Sequence, residues 1–84
     1  MWHVYCLRCR DGSVYTGITS DLNRRLDEHN QGKGGAYTQA KRPVVLVYQE
    51  PHPDKSSALR REIEIKRWPR PRKLALISSS SQRV

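Results

Sequence analysis

Five residues of this chain pair chemically useful side chains with sequence positions that aim them inward: Tyr5, Tyr15, Arg25, His29 and Glu62. Glu62 is the sharpest case. Wound at 100° per residue, SSALRREIEIKRW is a helix with an apolar stripe of Ala58, Leu59, Ile63 and Ile65, and Glu62 sits inside that stripe. A carboxylate facing a core is costly unless it is paired, hydrogen-bonded or bound to a metal. Lys66, four residues on, offers an ordinary ion pair, and a divalent cation is the other solution. In the earlier run SDLNRRLDEHN, the residues Leu22, Leu26 and His29 form one narrow stripe with Arg25 at its border. Arg24 and Glu28 lie opposite, as a surface i,i+4 pair. Arg25 is thus set to lay its stem along a sheet, or to offer its planar fork to a phosphate. Carboxylate and water ligands suit a hard cation, and the guanidinium fork matches phosphate oxygens.

Bringing these groups together requires a particular set of elements. WHVYCLR is β-rich, and CRDGSVYTG turns at Asp11-Gly12 into a second β-rich run, so residues 2–17 read as an antiparallel hairpin carrying both tyrosines. Gly17 permits a tight turn from that hairpin into the first helix, capped by Ser20 or Asp21 and covering about residues 21–30. QGKGG ends the helix, and KRPVVLVYQE, residues 41–50, is a nearly continuous apolar strand. PHPD stops the strand, and Asp54 or Ser56 caps the second helix. Pro69 and Pro71 break that helix, RKLALI forms a last short one, and SSSSQRV lacks core residues. The reading is one domain over residues 1–77 with a disordered tail at 78–84.

Composition narrows the partners. Sixteen Lys and Arg against eight Asp and Glu give a net charge of +8 over 84 residues, which favours an anionic polymer. So small a chain has a thin core, so a site is expected on an open face and not in an enclosed pocket. No apolar run approaches the ~18 residues of a membrane span, and no signal peptide opens the chain, so the cytoplasm is the expected location. Cys6 and Cys9 fall on opposite faces of a strand, which makes them separate reduced thiols and neither a disulfide nor a zinc pair.

VYCL, VYTG, Arg25, His29 and Glu62 together resemble the GIY-YIG nuclease domain, in its small single-domain bacterial form. VYC stands in for the first tripeptide and YTG for the second; SDLNRRLDEHN is similar to the family's arginine helix and SALRREIEIK to its glutamate helix. The resemblance spans about residues 2–77. It implies an α+β fold, a three-stranded antiparallel sheet flanked by helices, with the active site on one sheet face. It implies phosphodiester hydrolysis with one divalent cation, Mg²⁺ or Mn²⁺, and no organic cofactor. By the same resemblance, Glu62 is the metal ligand and Arg25 the phosphate-stabilising cation. Tyr5 and Tyr15 flank the attacking water, and His29 is an accessory polar group. Ile18 stands where many members carry a lysine.

Tyr37, Lys41, Arg42 and Lys66 are the expected nucleic-acid contacts, with DNA the favoured partner, repair or recombination the setting and a monomer the working form. Two other readings compete. One is a module of the same fold that binds nucleic acid and cuts weakly or not at all, since basic residues bind phosphates without catalysis. The other is a protein-interaction adaptor using Trp2, Trp68 and RWPRPRKLALI, although two tryptophans also serve to close a thin core.

Overall fold

The alternation of side chains along the first two strands decides where everything else packs. The computed structural model describes residues 1–33 and 35–81, without the side chains of Ala36, Tyr37, Ser80 and Ser81. The elements are β1 (Trp2–Arg8), β2 (Val14–Thr19), α1 (Leu22–Asn30), α2 (Ala36–Gln39), β3 (Val45–His52), α3 (Lys55–Lys66) and α4 (Arg70–Ser81). The strands form one antiparallel sheet in the order β2-β1-β3, an α+β fold as expected. Tyr5 stands opposite Gly17 and Leu7 opposite Tyr15; on the next positions, Val4 meets Ile18 and Cys6 meets Thr16. Since successive residues of a strand point to opposite faces, Tyr5, Leu7 and Tyr15 share one face and Val4, Cys6 and Ile18 the other.

Each face acquires its own layer. On the tyrosine face, Leu22 and Leu26 of α1 pack against Tyr5, Leu7, Cys9 and Val44. On the other face, Ala58 and Ile65 of α3 join Leu76 of α4 and Trp68 against Val4, Ile18 and Trp2. Both tryptophans therefore close the core. Cys6 and Cys9 are buried free thiols. Two aspartates settle the helix starts: Asp21 accepts the Arg24 amide at 3.2 Å, and Asp54 accepts the Ser57 amide at 2.8 Å.

Several expectations are corrected. Leu59 and Ile63 are exposed at 42% and 44%, so the buried stripe of α3 is Ala58 and Ile65, with Glu62 at its border beside Ala58. The third strand begins at Val45 and continues through Pro51 to His52, which an edge strand tolerates because its outer N–H needs no partner. A four-residue helix, α2, occupies part of the segment read as a loop; one turn is too short to show periodicity. Pro71 lies in the first turn of α4, where its missing N–H costs no helical bond, so the Pro-Arg-Pro run starts a helix as well as stopping one. That helix runs to Ser81, so Ser78–Ser81 are helical and not part of a tail; residues 82–84 lie outside the described residues.

Gly17 makes no turn. It lies within β2, and a Cβ there would meet the Tyr5 hydroxyl oxygen at 2.7 Å and its ring at 2.8 Å. Glycine is required because the Tyr5 phenol lies flat across the neighbouring strand, held in a fully packed position. Gly17→Ala should therefore destabilise the fold by about 1–3 kcal/mol through overpacking. Urea unfolding of the variant beside the parent checks this, and an unchanged midpoint would contradict the close approach.

Candidate active site

The hairpin sets two phenols side by side, and α1 lowers an imidazole onto them. Tyr5 and Tyr15 ring centroids are 6.3 Å apart, and the His29 ring stands edge-on to both, at 6.0 Å from Tyr5 and 5.1 Å from Tyr15. The Tyr5 hydroxyl is 3.0 Å from His29 Nε2, and His29 Nδ1 is 2.7 Å from the Thr38 hydroxyl of α2. Tyr5, His29 and Thr38 are all buried. Arg25, one turn before His29, also hydrogen-bonds the Tyr5 hydroxyl. A guanidinium can only donate, so the Tyr5 oxygen accepts from Arg25. With the Tyr5 proton on the side of His29 Nε2, the neutral imidazole carries its own proton on Nδ1 and donates to Thr38.

Burial sets the protonation states. It pushes the Tyr5 phenol up to about 12, against the hydrogen bond from Arg25. Burial and then the charge of Arg25 hold the His29 imidazole below its ordinary 6.5. A neutral phenol thus faces a neutral imidazole. The guanidinium of Arg25 also reaches Glu28 at 3.3 Å, and Arg24 reaches the same carboxylate at 3.7 Å, so Glu28 bridges the two arginines and does not serve Arg24 alone. They differ in setting: the side chain of Arg24 is 76% exposed, that of Arg25 31%.

Glu62 comes from the helix on the opposite face. Its side chain is 14% exposed, its charge bears on Tyr5, and Lys66 Nζ lies 3.5 Å from its Oε2. The Lys66 ammonium also sits 5.9 Å from the Tyr15 ring centroid, so α3 reaches the tyrosine face around the open edge of β2. The ordinary ion pair is therefore present, and it lies beside the phenols. Lys66 is half in water, which leaves the carboxylate open to another cation. No cluster of three or more His, Cys, Asp or Glu suited to a metal occurs among the described residues. One carboxylate fits a small hard ion that keeps its waters and takes phosphate oxygens, and does not fit zinc. Ile18 packs with Val4 on the far face, so the ammonium beside Tyr15 belongs to Lys66.

Two features carry little or no signal in the sequence. Thr38 had none, because only the folded chain sets α2 beneath His29. The second is a polar ladder on β3 at alternate positions: Glu50 accepts Tyr48 at 2.6 Å, His52 lies 3.2 Å away, and Arg61 donates at 2.8 Å. It ties Arg61 to the β3 side of α3, and Glu62, 100° further round, turns toward β2. The alternation of polar residues in YQEPH was the available signal. Among the expected nucleic-acid contacts, Lys41 pairs with Asp11 at 3.2 Å and Arg42 lines an open depression; the Tyr37 side chain lies outside the described residues. No described helix is long and apolar enough to cross a membrane.

Sheet, tyrosine pair and flanking helices together define a small α+β domain built around one polar centre. The sequence profile of the GIY-YIG catalytic domain matches residues 1–75, and the chain belongs to that family, which is of the nuclease type. It is similar to UPF0213 proteins of Staphylococcus aureus, at 54% identity over 74 residues covering 88% of this chain and 90% of theirs. The solution NMR structure of a UPF0213 protein from Bacillus halodurans superposes with a TM-score of 0.60 at 44% identity, covering 93% of this chain and 84% of that one. A solution NMR structure of a protein from E. faecalis gives 0.63 at 34% identity, covering 95% and 85%.

Thr38→Val keeps the shape of the side chain and removes the hydroxyl that His29 Nδ1 meets. A buried N–H without a partner should cost about 1–3 kcal/mol, whereas Thr38→Ser should stay close to the parent. Denaturant unfolding of both variants makes the comparison; equal stabilities would remove Thr38 from the hydrogen-bonded chain.

Proposed function

We propose that the protein is an endonuclease that hydrolyses phosphodiester bonds in nucleic acid, DNA foremost, with one Mg²⁺ or Mn²⁺ held by Glu62. The observation that carries this reading is the hydrogen-bonded run from Arg25 through Tyr5 to His29, on a face that also feels the charge of Glu62. A net charge of +8 and an open site suit a long anionic polymer. The setting we assign is cytoplasmic repair or recombination, with the chain acting as a monomer.

Roles follow from position. Arg25 supplies fixed N–H donors where charge gathers on a phosphate as water attacks. The Tyr5 oxygen, held between Arg25 and His29, orients the attacking water. A phenol held near 12 is a weak acid, so Tyr5 can take a proton from that water only as it passes its own to His29 Nε2. Tyr15 provides the second hydroxyl at the rim. When bound, the cation polarises the phosphate and lowers the pKa of a water. The ion pair between Glu62 and Lys66 supports a second reading, in which the carboxylate is neutralised and the protein binds nucleic acid without cutting it.

Plasmid, branched DNA and single strands, each with Mg²⁺, Mn²⁺ or chelator, separate the two. Cleavage that needs the metal is expected; binding without cleavage in every arm selects the second reading. Arg25→Ala should lower cleavage on the order of 10²-fold, with Arg24→Ala nearly as active as the parent. Similar mild losses at both positions would argue against a catalytic Arg25. Glu62→Gln should abolish metal-dependent cleavage and keep DNA binding. It should change stability by no more than about 1 kcal/mol, because Lys66 is half in water. A variant that unfolds much more readily yet still cuts would make Glu62 structural.

A further inference from the structure

Beyond the end of the sheet, past the hairpin turn, lies an open depression of about 610 Å³ lined by Arg10, Asn30, Gln39, Ala40, Arg42 and Pro43. It is a built feature. The Arg10 amide donates to the Lys41 carbonyl at 3.0 Å, tying the turn to the loop. Asn30 grips Val44 at both ends, accepting its N–H at 2.9 Å and donating to its carbonyl at 3.3 Å. Arg42 Nε donates to the Gln39 carbonyl at 2.9 Å, and its guanidinium lies against Gly32, where a Cβ would come within 2.9 Å of it. Gly32 also has φ +81°, so glycine is needed there on both counts.

The charge of this depression is unbalanced. The nearby Lys41 is answered by Asp11, but among the described residues neither Arg10 nor Arg42 meets a carboxylate. Two guanidiniums with amide walls and an open mouth suit a phosphate on a passing chain better than an enclosed small molecule. Arg10 lies five residues beyond Tyr5, so at about 3.3 Å per residue the two are no more than about 17 Å apart along the strand. Asn30 directly follows His29, which links the depression to the tyrosine site through α1.

We propose that this depression is a second phosphate subsite, taking the backbone of the same nucleic-acid strand a few nucleotides from the bond to be cut. At about 3.4 Å of duplex axis per nucleotide, the two sites are separated by up to about five nucleotides. A dinucleotide has a single internucleotide phosphate and cannot fill both. The inference rests on the nuclease reading and adds a length requirement to it.

Fluorescence anisotropy with labelled single strands of about 2 and about 20 nucleotides, in the Glu62→Gln background to prevent cutting, tests the subsite. Arg10→Glu and Arg42→Glu should each weaken the long strand, and each should lower the magnitude of its log–log salt slope by about 0.7 for every phosphate no longer neutralised. The short strand should bind both variants as it binds the parent, and Arg60→Glu, on an exposed position of α3, should alter neither. Arg10 carries no side-chain hydrogen bond among the described residues, so Arg10→Glu separates binding from folding; circular dichroism confirms the fold. Equal losses for short and long strands, or none for either, overturn the subsite while parental cleavage stands. Displacement of the long strand by a nucleoside monophosphate, abolished by Arg10→Glu, would mark a small-molecule site and overturn it as well. A parent that binds no strand of any length overturns the subsite and the nuclease reading together.

Discussion

The hydrogen bond between Tyr5 and His29 is the contact on which the tyrosine face depends. It is a polar contact inside a thin core, so every group along it must find a partner or impose the cost of a buried, unsatisfied donor. Thr38 supplies that partner at one end and Arg25 at the other. The requirement fixes the rotation of α1 over the sheet, the placement of α2 beneath α1 and the flat course of the Tyr5 ring across Gly17. A polar chain, as much as Leu22 and Leu26, holds this layer together.

The opposite layer answers a different constraint. Ala58 and Ile65 anchor α3 by burial, and Arg61 fixes its rotation through Glu50 on β3. With both sides defined, Glu62 has one direction left, toward the edge strand β2 and the phenols. The carboxylate and the guanidinium thus arrive from opposite faces of the sheet, around an edge that only a sheet of this order leaves open. The ion pair and the proposed cation-binding role use the same feature, because a carboxylate held in place for Lys66 is also held in place for a competing cation.

Electrostatics divide the surface in a way that net charge alone does not reveal. Lys41 is answered by Asp11, Arg61 by Glu50 and Glu64, and Arg25 by Glu28, whereas Arg10 and Arg42 gather without a carboxylate among the described residues. Arg61 and Arg72 additionally face the Trp68 ring at 5.1 and 4.2 Å, so part of the positive charge serves to cover an aromatic at the core's margin.

The elements were largely legible in the residues. Period-2 runs around an Asp-Gly turn define a hairpin, aspartates before charged helices define caps, and the spacing of Leu22, Leu26 and His29 identifies the inward face of α1. Arg25, His29 and Glu62 were legible as candidates for the same reason, since each joins, interrupts or borders a stripe of apolar positions, whereas Tyr5 and Tyr15 stood out only by resemblance to the GIY-YIG motifs. What only the tertiary structure decided depends on distances between segments far apart in the chain. Gly17 reads as a turn former, but its role comes from a phenol on the adjacent strand. Leu59 and Ile63 satisfy the helical period yet face outward, because the sheet accepts a narrower stripe than the sequence offers. Thr38 stands in a stretch with no pattern and becomes a buried hydrogen-bond partner solely through the docking of α2 under α1. Local pattern determines which way a side chain points on its own element, whereas the partner it meets is set by the packing of elements, and hydrogen bonds and pKa shifts depend on the partner.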